Sequence, residues 1–156
     1  MAYVDQFDDL IRADERGHAI KNTRTIVVFD DGLVVCAVPV YGDARPPSGW
    51  LGGVRRLRRA GSAAAGGDDH IRVSARAAGS CLTFAPTWPR ALLIPLAVID
   101  KVVLTRPRQV SELAIYEQTA DPARPTASVY LGELSVERVR GALEPALGNR
   151  LEIQVP

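Results

Sequence analysis

The chain has 156 residues and a formal net charge of +1, the length of one domain. Hydrophobic residues make up 47% and charged residues 24%, a globular balance that excludes global disorder. The near-neutral charge gives no bias toward DNA or RNA, and an aromatic share of 6% argues against a base-stacking nucleic-acid reader.

The N-terminus, MAYVDQFDDL, is acidic and has no basic segment followed by an apolar one, so it does not read as a secretory signal. Val4, Phe7, Leu10 and Ile11 recur at helical spacing. Asp5, Asp8 and Asp9 stand early, where the helix macrodipole favours acids. The pattern predicts a short amphipathic helix over residues 3–13, ended by Asp14 to Gly17.

Thr23–Phe29 (TRTIVVF) is apolar and β-branched, Asp30-Asp31-Gly32 is a turn signal, and Leu33–Val40 (LVVCAVPV) is apolar again. Two strands joined by a turn that ends in Asp-Gly read as a hairpin. The run is apolar on both faces, which places at least part of the hairpin centrally in a sheet.

Residues 42–69 change character. Turn-rich GDARPPSG and small-residue AGSAAAGG flank Trp50-Leu51-Gly52-Gly53-Val54-Arg55-Arg56-Leu57-Arg58-Arg59. On a helix, Trp50, Val54 and Leu57 share one face while Arg55, Arg56, Arg58 and Arg59 crowd the other. This predicts a basic, amphipathic insertion.

His70–Arg76 then alternates, with Ile71, Val73 and Ala75 against Arg72, Ser74 and Arg76, and reads as a strand; Cys81–Phe84 reads as another. Ala91–Leu96, Ile99–Leu104, Glu112–Glu117 and Ala127–Leu131 are further strands, with Asp121-Pro122 and Arg124-Pro125 marking a turn. Ser135 is a good N-cap for a helix with the stripe Val136, Val139, Leu143 and Leu147. Pro145 should bend or shorten that helix and Gly148 should cap it. Residues 151–155 alternate and suit a last strand or an extended tail. The longest apolar run, Ala91–Ile99, contains Pro95 and is far shorter than the roughly 20 residues of a membrane-spanning helix.

Roughly seven short strands, a basic helical insertion and a C-terminal helix predict one α+β domain over residues 1–156. Its architecture would be an antiparallel β-barrel or two-layer sandwich capped by that helix. The order TRTIVVFDDGLVVC, RALLIPLAVIDKVVL, SELAIYEQ, ASVYLGEL and SVERVRGALEPALG resembles a bacterial pleckstrin-homology-like (PH-like) domain. In that family a strand ends in an Ile-Pro-(Leu)-x-x-Ile segment, matched by Ile94, Pro95, Leu96 and Ile99. The resemblance spans residues 23–147, with the insertion at 42–69 as a departure. It implies a non-enzymatic binding or assembly module whose ligands are lipids, peptides or further copies of the domain.

Few residues offer other chemistry. Cys36 and Cys81 lie in apolar or small-residue stretches without metal-ligand spacing and read as buried thiols. Asp68, Asp69 and His70 could contribute metal ligands, but no further ligands stand at suitable spacing. Asp30 and Asp31 could form an acid/base pair, but a hairpin turn wants acids there for backbone reasons alone. Basic residues are almost all arginine, as a GC-rich coding bias would give. The expectation is therefore a non-enzymatic, cytoplasmic module without cofactor or metal, at most peripheral to the inner face of the membrane. Trp50, Arg55, Arg56, Arg58 and Arg59 would meet a protein partner or anionic lipid. An uncovered strand edge would favour self-association, and nucleic acid is not expected as a partner. The alternative is a small metal-assisted hydrolase built on Asp68, Asp69 and His70.

Overall fold

The structure is a computed structural model that describes residues 2–13, 22–39, 66–106, 110–119, 121–132 and 134–154. Its first element corrects the expected N-terminal helix: β1 (Tyr3–Arg12) is a strand. The cause is visible in its register. β1 carries irregularities between Tyr3 and Asp5 and between Phe7 and Leu10, and Asp9 has a φ of 58°. Each inserted residue moves the buried face along the strand. Gln6, Phe7, Leu10 and Ile11 are buried as a result, a spacing that imitates a helix.

β2 (Asn22–Phe29) and β3 (Gly32–Pro39) form the expected hairpin, in unbroken antiparallel register from Asn22↔Pro39 to Phe29↔Gly32. β4 (Leu92–Pro95), β5 (Ile99–Thr105), β6 (Glu112–Glu117), β7 (Ala127–Tyr130) and β8 (Leu151–Gln154) complete one sheet. The order is β4-β3-β2-β1-β7-β6-β5-β8, antiparallel throughout except for the β5–β8 pair. The expected barrel of about seven strands does not close. β5 has β6 on one side and β8 on the other, so it has no edge left for β4. The chain turns that corner through a 3₁₀ turn at Leu96–Val98. Arg150 fastens the corner by donating to the carbonyls of Leu96 (2.9 Å) and Ile99 (3.1 Å).

The inner face is packed by Ile26, Val28, Leu33 and Val35 together with residues of β1 and β4–β7. The C-terminal helix closes one end of this core with Val136, Val139, Leu143 and Leu147. Ser135 caps that helix, its hydroxyl accepting from the Arg138 N–H at 3.2 Å. Pro145 does not stop the helix, which runs on to Leu147. Proline has no N–H to donate to the Gly141 carbonyl four positions earlier, and the helix ends two residues further on.

The outer face of the hairpin is equally dry. Val27, Phe29, Val34, Cys36 and Val38 are covered by two helices from the long β3–β4 connection. These are α1 (Gly66–Ala78) and α2 (Cys81–Phe84); the C-terminal helix is α3 (Val136–Leu147). Both coverings correct expected strands. In the His70–Arg76 segment, Ile71 and Ala75 are fully buried while Val73 is 68% exposed, so burial follows the four-residue helical period. In Cys81–Phe84, Ser80 caps a helical turn, accepting from the Thr83 N–H at 3.2 Å, and Cys81 and Phe84 point inward.

Polar side chains of β1 and β2 meet Arg72 of α1. The Asp8 carboxylate accepts from Gln6 Nε2 at 2.8 Å and from the Thr25 hydroxyl at 3.3 Å. Arg72 reaches the other oxygen of Asp8 at 3.7 Å. Polar contacts of this kind specify where a helix sits on a sheet.

Cys36 and Cys81 are buried free thiols in the outer core. Burial pushes Cys36 up to about 12. Burial, and then the neighbouring Asp31, push Cys81 up to about 12. Since the thiolate is the reactive form, Ellman's reagent at pH 8 is expected to detect no thiol in the folded protein and both after denaturation. An unfolded thiol ionises near pH 8.5. The contribution of these groups to stability is therefore intact below that pH and declines as pH rises toward 12.

Candidate binding groove

β1 changes partner in mid-strand. Its last pair with β2 is Leu10↔Arg24, and from Ile11 it pairs with β7 through Ile11↔Tyr130 and Arg12↔Val129. The sheet passes there from its β4–β1 half to its β7–β8 half. A groove of about 570 Å³ lies beside this change of partner, a size within the usual range for small-molecule sites. Its lining comes from the end of β1, from β2–β4 and from β7 with the turn before it.

Arg24 follows from strand alternation. It is in phase with Ile26 and Val28, which face the inner core, and it pairs with Ala37. A charge thus ends an otherwise apolar row. Arg24 Nη1 donates to the carbonyls of Asn22 (3.3 Å) and Thr23 (3.4 Å). Arg12 enters from β1, and Arg90 from the turn before β4, where its φ is 56°. That left-handed conformation is uncommon for a residue with a side chain. Val35 and Val129 are buried in the floor, and Leu92 is 37% exposed beside them. Ser128, also in the lining, donates to the Glu112 carboxylate at 2.5 Å. Among the described residues, the lining holds three arginines and no acid.

Trp50, Arg55, Arg56, Arg58 and Arg59 lie outside the described residues. Asp69 is on α1, paired with Arg72 at 3.5 Å, and the His70 ring lies 6.1 Å from the Trp88 ring. These residues stand on a helix, not on a strand at a barrel rim. No group of three or more His, Cys, Asp or Glu residues suited to a metal occurs among the described residues. Asp31 serves the fold: its carboxylate accepts from the Cys81 N–H at 3.0 Å, and its carbonyl accepts from the Leu96 N–H at 2.8 Å. No helix among the described residues is long and apolar enough to cross a membrane.

The groove arginines were not among the candidates drawn from the sequence. Arg24 carried a signal: it breaks the apolar phase of its strand. Arg12 and Arg90 carried none, because their convergence depends on β1 switching partners.

No family model and no curated protein matches the chain. Among solved structures it is similar to a chain in the structure of the Spt16D Pob3N heterodimer, with a TM-score of 0.47 and 13% identity. The alignment covers 99% of this chain and 56% of that chain, so the present chain spans little more than half of that neighbour's length. The eight-stranded, mostly antiparallel open sheet with its C-terminal helix is an α+β arrangement compatible with a PH-like fold.

Proposed function

We propose that this chain is a non-enzymatic interaction module, PH-like and of the bacterial type. It works in the cytoplasm and docks on an anionic surface presented by a protein partner or by the inner face of the membrane. The observation that carries this reading is the convergence of Arg12, Arg24 and Arg90 on one open groove. Guanidinium groups bind carboxylates and phosphates through paired hydrogen bonds, and the groove is wide enough to receive such a group. The basic segment with Trp50, Arg55, Arg56, Arg58 and Arg59 supplies further positive charge to the same kind of surface.

The test is co-sedimentation with phosphatidylcholine vesicles, with and without phosphatidylglycerol, beside binding to a glutamate-rich peptide. Salt-sensitive binding to the anionic targets alone is the expected result. Each basic side chain near an anionic membrane is worth about 1 kcal/mol, so changing Arg12, Arg24 and Arg90 together to Gln should weaken vesicle binding roughly a hundredfold. Absence of binding to every anionic target would overturn the reading.

A further inference from the structure

The groove is not uniformly polar. Besides its arginines, its lining includes Val35, Leu92 and Val129. Leu92 is one of four large apolar side chains that are notably exposed among the described residues, and the only one of the four in the groove. A purely charged surface patch would use the arginines and leave this leucine in water. A ligand complementary to both has a negative head and an apolar body. We propose that the groove binds a free amphipathic acid, a single anionic head on a medium-length apolar chain. The head meets Arg24 and Arg90, and the chain lies over Leu92 toward Val35 and Val129. This rests on the arginine-groove reading above and names the molecule the groove admits. The volume of about 570 Å³ accommodates such a molecule whole.

The probes are octanoate, which has head and chain, inorganic phosphate, which has a head only, and n-octanol, which has a chain only. Titration calorimetry should find octanoate bound at least about tenfold more tightly than either other probe, since both halves of the site then contribute. Leu92→Asn and Arg24→Gln should each weaken octanoate about tenfold, one through the chain and one through the head. Arg90→Gln, at an exposed position, is the second head variant should Arg24→Gln fail to fold by circular dichroism. Arg140→Gln, which removes an ion pair with Glu144 on α3, should leave octanoate affinity unchanged.

Phosphate bound as tightly as octanoate, or octanoate binding indifferent to Leu92→Asn, would overturn the proposal. Octanoate is also expected to compete with anionic vesicles. Vesicle binding that depends on the arginines but resists octanoate removes the amphipathic ligand and keeps the docking module. Octanoate binding without any vesicle or peptide binding keeps the ligand and removes the docking module.

Discussion

Gly32→Ala is expected to destabilise the protein by about 3 kcal/mol, the upper end for overpacking a core, and Gly32→Val by more. A Cβ at this position would stand 2.7 Å from the Ile94 carbonyl oxygen, 2.9 Å from the Pro95 Cα and 2.9 Å from the Cys81 Sγ. Two of these three atoms are backbone and cannot swing away. They belong to the β3–β4 ladder, where Gly32↔Pro95 and Leu33↔Ile94 are paired. The φ of +158° adds to the preference for glycine. Moving β4 outward would also strain the Asp31 contacts to Leu96 and Cys81. Urea denaturation followed by circular dichroism measures the change; a loss below about 1 kcal/mol would show that the strands are looser here than the geometry requires.

Phe84→Ala is the second large effect, expected at about 3–5 kcal/mol for a buried aromatic. Phe84 is fully buried and its ring centroid lies 5.7 Å from that of Phe29. It also anchors α2 to the outer face of the hairpin, so its loss opens a cavity next to Cys36 and Cys81. The variant should expose at least one thiol to Ellman's reagent at pH 8 under native conditions. Its affinity for anionic vesicles should be unchanged where it remains folded, because the groove lies on the opposite face of the sheet. A cost near 1 kcal/mol with both thiols still silent would mean that α2 does not seal this face.

The hairpin was legible because its signal is local. Apolar residues on both faces of TRTIVVF and LVVCAVPV demand covering on both sides, and the turn between them has suitable chemistry. Helix α3 was legible for the same reason: its cap, stripe and terminal glycine all lie within a short stretch. β1 misled because its bulges shift the buried face, and the burial of Phe7, Leu10 and Ile11 is set by pairing with strands far along the chain. The Ile71–Ala75 segment fits both a strand and a helix, and only the exposure of Val73 decides between them. Closure of the sheet was not readable either, since the edge of β5 is taken by β8, a strand some fifty residues further along the chain. The groove depends on the same long-range facts. Arg24 could have been singled out by its phase, but nothing in the sequence brings Arg12 and Arg90 to it.

The most direct measurement is vesicle affinity for two variants side by side. One carries Arg12, Arg24 and Arg90 as Gln; the other carries Arg55, Arg56, Arg58 and Arg59 as Ser. If the groove is the docking site, the first should lose roughly a hundredfold in affinity for phosphatidylglycerol-containing vesicles, and the second should keep a salt-sensitive affinity that octanoate still competes away. Full binding by the first variant, with loss confined to the second, would contradict the groove and place docking in the basic insertion.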